Sequence, residues 1–230
     1  MAKKIFFALL LSFLMPTLAW AHQPRLASGV EMQTIDLPEV SKAYYGSLKG
    51  NPEYYQINAA KEFDFYINVL VPDLPDIGQD VSVQVFSVNS TNTPMISLDG
   101  QNFVWKKFHE EFANDDYFKG PEYKTKLPSG LYTIKVFSPD NEGKYVLAVG
   151  ERENFSLAEI FRTLWLLPQL KSEFFGKAPI MFLYSIFGAG LLAFIGALVL
   201  IIAIIILIIK FVSKRKHKDN QTYGNSPDLS

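Results

Sequence analysis

The sharpest chemistry in this chain would belong to a histidine at a newly made N-terminus. Lys3 and Lys4, the apolar run from Ile5 to Met15 and the small-residue site Ala19-Trp20-Ala21 read in order as a secretory signal. Cleavage after Ala21 makes His22 the first residue, and its amine and a ring nitrogen together can grip one metal ion, which suits Cu(II). Such a brace needs a second histidine, and before the membrane region the sequence offers only His109. The plain alternative is an ordinary residue behind a cleavage site, with His109 on a surface loop.

Other reactive groupings are weaker. Asp73, Asp76 and Asp80, and Asp115-Asp116 with Glu122, could hold Ca²⁺ but lack EF-hand spacing, and acidic turn residues account for them better. Phe108-His109-Glu110-Glu111-Phe112 has no second histidine four residues on, so it is not a metalloprotease helix. The chain contains no G-x-S-x-G, phosphate loop or dinucleotide fingerprint. With no cysteine, disulfides and thiolate metal sites are excluded. The stretch 103–123 is dense in rings: Trp105, Phe108, Phe112, Tyr117 and Phe118 are interleaved with charges. Taken as a long connection, it predicts either a binding surface or a lid tucked over one end of the core.

These residues need elements to hold them. Between Lys177 and Lys210 lie 32 uncharged residues, about 48 Å of helix against a hydrocarbon core of ~30 Å. A transmembrane helix is expected over 178–210, and Lys210, Lys214, Arg215, Lys216 and Lys218 behind it place the 211–230 tail in the cytoplasm. Signal and tail agree on one pass with the N-terminal domain outside. Ser185, Ala189, Ala193 and Ala197 recur every fourth residue, a small-residue face that admits a second helix, although such residues are also common in membrane helices. Just ahead, 154–177 reads as an amphipathic helix opened by Ser156 and Glu159 and interrupted by Pro168. It predicts a segment lying on the outer membrane surface with Trp165 at headgroup level, or one packed on the domain.

Residues 22–153 read as all-β. Phe63, Phe65, Ile67, Val69 and Val71 alternate with less apolar neighbours, as do Val81 to Val85, Tyr132 to Val136 and Tyr145 to Val149. Further strands are expected at 54–58, 102–106 and 123–127. Pro72 to Gly78, Pro128-Ser129-Gly130 and Pro139 to Gly143 carry turn chemistry, the last expected to close a hairpin. Strands of this kind predict an antiparallel β-sandwich. Residues 22–177 hold 15 basic against 21 acidic side chains, which argues against a nucleic-acid partner.

Leu127-Pro128-Ser129-Gly130-Leu131-Tyr132-Thr133-Ile134-Lys135-Val136, with Gly143 to Gly150 behind it, resembles the final strand pair of bacterial pre-peptidase C-terminal type domains. Tyr54 to Ile57 followed by Phe63 to Ile67 is similar to an earlier pair there. The resemblance implies a jelly-roll-like sandwich with a non-catalytic role, and carries no active-site residue. The layout as a whole resembles prokaryotic membrane-anchored proteins, and the start His22-Gln23-Pro24-Arg25 resembles secreted copper proteins that use an N-terminal brace. The sequence therefore predicts a membrane-anchored binding or scaffold module without catalytic activity or cofactor. Its partners would be membrane lipid and a protein, or a second copy, in the membrane. The alternatives are copper handling through His22 and, third, an envelope hydrolase.

Overall fold

The computed structural model describes residues 22–27, 29, 32–88, 92–154 and 156–223, with side chains as far as Lys214. The expected signal segment 1–21 and the end of the tail lie outside the described residues. The chain divides into two compact units, one ending at Phe187 and one beginning at Gly188.

The first unit is a β-sandwich. Its strands are β1 (Gln23–Leu26), β2 (Gln33–Thr34), β3 (Lys42–Lys49), β4 (Glu53–Ala59), β5 (Phe63–Pro72), β6 (Ser82–Ser87), β7 (Ile96–Leu98), β8 (Lys106–Glu110), β9 (Asp115–Leu127), β10 (Gly130–Phe137) and β11 (Glu142–Val149). The first sheet has the order β1-β3-β11-β5-β9-β8 and the second β2-β4-β10-β6-β7. Pairing is antiparallel except at one edge of each sheet, where β1 runs parallel to β3 and β2 to β4. The core lies between the sheets. Phe65, Ile67, Val69, Tyr145, Leu147 and Val149 from the first meet Tyr55, Ile57, Val83, Val85, Ile134 and Val136 from the second. Each such side chain fully buried contributes roughly 1.5–3 kcal/mol of hydrophobic stabilisation.

Two local expectations are corrected. The turn Pro139–Gly143 does not close a hairpin, because β10 lies in the second sheet and β11 in the first. It is an arch over the core edge, built by Asn141 and Gly143 at positive φ and by Asp140 Oδ1, which accepts from Glu142 N at 3.0 Å. Most consecutive strands likewise change sheet, and only β6–β7 and β8–β9 are hairpins. Nor is 103–123 one long connection. Residues 106–110 and 115–127 form paired strands, turned through Asn114 at positive φ. The strand expected at 102–106 begins only at Lys106.

Beyond β11 the chain crosses the first sheet's outer face. Helix α1 (Leu157–Gln169) starts at Ser156, whose hydroxyl oxygen accepts from Glu159 N at 3.3 Å. The Glu159 carboxylate pairs with Arg25 at 3.0 Å, tying the helix start to β1. Pro168 has no N–H for the ladder, and the chain leaves α-geometry directly after Gln169, passing into a π-helical turn at Leu170–Phe174. A 3₁₀ turn (Pro179–Tyr184) and helix α2 (Ile186–Tyr223) follow. The apolar helix thus starts at Ile186 rather than at 178, because Pro179 opens a separate short turn. Its stretch Ile186–Lys214, 29 residues with a mean hydropathy of 3.5 over its most apolar 18-residue window, is long and apolar enough to cross a membrane.

Candidate functional site

The first sheet is covered on both faces over its central strands, and its outer face carries the site. Strand alternation turns Ala43 and Tyr45 of β3, Leu70 of β5, Tyr117 of β9, and Val146 and Ala148 of β11 away from the core. They form a second buried cluster with Leu170, Phe174 and Phe175. Tyr45 and Tyr117 share a hydroxyl–hydroxyl bond of 3.1 Å beneath the rings of Phe174 and Phe175, which stand edge-on to Tyr45 with centroids 5.0 and 6.4 Å away. Burial pushes both tyrosine hydroxyls well above their ordinary pKa.

A buried ion cluster fastens this cover. Asp115 and Lys171 are each 1% exposed and lie 2.7 Å apart, and Lys177 reaches the other Asp115 oxygen at 2.9 Å. Lys171 also donates to the carbonyls of Ala113 at 2.6 Å and Asn114 at 3.2 Å. Burial pulls the Lys171 ammonium below its usual range while Asp115 draws it back up. Beside it Glu110 accepts from Phe112 N at 3.0 Å and Ala113 N at 2.8 Å, and burial raises its carboxyl against that support. The hairpin turn holds the next segment as well. Ile186 N donates to Phe112 O at 3.0 Å, and the rings of Phe112 and Phe187 meet at 5.8 Å.

Between α1 and the sheet the cover does not close, leaving a cavity of about 510 Å³. Small side chains make the room, with Ala43 and Ala148 in its floor, Leu70 and Val146 beside them, and Thr163 and Leu167 of α1 as the roof. Thr163 Oγ1 is buried with no hydrogen-bond partner. At one end the lining turns polar with His22, Tyr66, Lys119, Glu122 and Glu151. Tyr66 donates to Glu122 at 2.7 Å, Lys119 pairs with Glu122 at 2.9 Å, and Glu151 pairs with Lys124.

The ring-rich stretch is divided between two faces. Trp105 and Phe118 are half-buried against the main core; Trp105 Nε1 donates to Gly100 O at 2.8 Å and its ring lies on Gly120. A Cβ on Gly120 would stand 2.5 Å from that ring and 2.8 Å from Val69 O, so only glycine fits. Phe112 and Tyr117 are buried towards the cover, and of the five rings only Phe108 is exposed. Alternation along β8 and β9 sends neighbouring rings to opposite faces, so these five rings do not share one face. On α1, Trp165 is 76% exposed and aligns with Phe161 at 70% and Leu157 at 75%, a bare apolar stripe at four-residue spacing. Ser185 is buried just before α2 begins and donates to Phe182 O at 2.6 Å. Ala189 and Ala193 are exposed on α2 and Ala197 is half-exposed.

The two histidines lie apart in role. His22 sits in the polar end of the cavity with Nδ1 at 2.5 Å from Ser41 Oγ, while His109 outside it pairs with Asp116 at 2.8 Å. Burial first, then the Lys119 charge, push His22 down to about 4 against a smaller upward pull from Glu151, so its ring is neutral at pH 7. Among the described residues no group of three or more His, Cys, Asp or Glu side chains is placed to hold a metal ion.

No family model matches the chain, and no curated protein matches it. Among solved structures it weakly resembles the pre-peptidase C-terminal domain of a collagenase from Bacillus anthracis. That match has 16% identity over 52% of this chain and 93% of that one, with a TM-score of 0.35. CorA, a surface-associated copper-binding protein of Methylomicrobium album BG8, matches at 8% identity over 56% of this chain and 100% of its own, with a TM-score of 0.29. A β-glucosidase from Paenibacillus barengoltzii matches at 11% identity over 59% of this chain and 14% of its own, with a TM-score of 0.25.

Proposed function

We propose that this protein is a non-catalytic binding module held at the outer face of a membrane by α2, with α1 as its contact element. The observation that carries this reading is the bare stripe of Leu157, Phe161 and Trp165 on a helix whose other side faces the first sheet. A stripe of this kind, ending some twenty residues before a membrane-length helix, suits insertion at the headgroup level, where a tryptophan ring is at home. The signal-like start and the basic residues behind α2 support an outward-facing domain. A second protein in the same membrane is the other surface the stripe could meet.

Photo-crosslinking from position 161 of the full-length protein in its native membrane tests this. Lipid adducts support the interfacial reading, and one recurrent protein adduct supports a protein partner on the same stripe. Recovery of uncrosslinked protein alone, with α1 still folded, would overturn the proposal.

A further inference from the structure

We infer that the cavity between α1 and the first sheet is a site for a zwitterionic phospholipid, one acyl chain lying in the groove and the headgroup at the His22–Glu122–Glu151 end. The inference rests on the membrane-surface reading of α1 and adds a ligand to it. At about 510 Å³ the space lies within the roughly 300–1,000 Å³ typical of small-molecule sites. Ala43, Leu70, Val146 and Ala148 offer an alkyl chain dispersion contacts, beside Tyr45, Asn68, Glu110 and Tyr117, which line the same space.

Three features select this ligand over a bare hydrocarbon. Thr163 Oγ1 lines the cavity, buried and unpartnered, and an ester carbonyl would accept its proton. The polar end carries both signs, Lys119 beside Glu122 and Glu151, with Lys124 paired to Glu151 from outside. Such an end matches a phosphate and an ammonium together, whereas a fatty-acid carboxylate would face two glutamates and one lysine already paired to Glu122. His22 is neutral there and adds a hydrogen-bonding group without adding charge.

The test reconstitutes the full-length protein in phosphatidylethanolamine–phosphatidylglycerol vesicles. Either lipid carries, in trace, a photoreactive group at the end of one acyl chain, and adducts are mapped by mass spectrometry. Labelling of the 43–45 and 146–148 segments is expected to be at least about fivefold stronger from phosphatidylethanolamine. Thr163→Phe, which fills the groove, should remove that labelling and leave labelling at Phe161 unchanged. Glu122→Gln with Glu151→Gln, both at partly exposed positions, should erase the headgroup preference without unfolding the domain. Labelling confined to the α1 stripe would overturn the cavity site while leaving the membrane-surface reading intact. Labelling nowhere on the domain would overturn both, and equal labelling by the two lipids would overturn the zwitterion assignment.

Discussion

The two sheets of the sandwich share a core and differ in what lies behind them. In the second sheet inward residues such as Tyr132, Ile134 and Val136 are buried, while outward Thr133, Lys135 and Phe137 remain half-exposed. At the centre of the first sheet both faces are buried, and β11 is covered without a break from Tyr145 to Val149. A sheet with one wet face alternates, and a sheet covered twice reads as a continuous apolar run. The sequence Tyr145-Val146-Leu147-Ala148-Val149 is such a run, so the second cover is written into β11 itself. The contrast locates function, because the groove and the α1 stripe both sit on the doubly covered side.

The contrast can be broken most severely at the ion cluster. Asp115→Ala strands buried Lys171 without its partner and should cost about 3–5 kcal/mol, read as a lower urea midpoint by tryptophan fluorescence. An unchanged midpoint would mean that the cover adds nothing to the domain's stability. Next in size is a matched pair on the two outer faces. Leu70→Ala, under the cover, should cost about 2–3 kcal/mol, whereas Asn58→Ala, on the second sheet's wet face, should stay within about 0.5 kcal/mol. Equal losses would dissolve the distinction between the sheets.

Acid probes the same side more gently. His22 is held near 4 in the fold and titrates near 6.5 when unfolded, so the unfolded chain takes its proton first. Its contribution is complete above about pH 6.5 and is lost as the pH falls towards 4. His22→Gln should flatten the melting-temperature profile over that window, and an unaltered profile would mean that His22 is not buried in solution. The smallest change is Ser156→Ala, which removes the α1 cap at a cost of about 1 kcal/mol and should speed amide exchange in the first turn alone.

The alternating strands 63–71 and 132–136 were legible because one face of each carries the main core. Strand β3 was hidden, since Ala43, Gly46 and Ser47 dilute its β-propensity. Gly46 is small for a reason the sequence cannot display, namely that the Tyr145 ring lies against it. Of the long strand β9 only 123–127 was legible, since Gly120-Pro121 interrupt its pattern. In the fold these residues face an irregularity between Asn68 and Leu70, where Asn68 Nδ2 donates to Gly120 O at 3.2 Å and Pro121 O at 3.1 Å. Trp105 and Phe118, attractive in sequence as surface rings, pack on the core, so substituting them would test folding before binding. The groove was not foreseeable, because Ala43 and Ala148 become its floor only when β3 and β11 pair.

Most of what closes the first sheet's outer face, from Thr163 to Lys177, follows β11 in the chain. During synthesis every strand therefore leaves the ribosome before the lid does. Tyr45, Tyr117, Val146 and Ala148 stand as a bare apolar face for as long as those residues are still being made. At roughly 5–20 residues per second that interval lasts a few seconds, and it closes when Lys171 meets Asp115. A chain truncated after Val149 would hold the face open permanently, which makes the ion cluster the latch that ends the domain's exposure to aggregation.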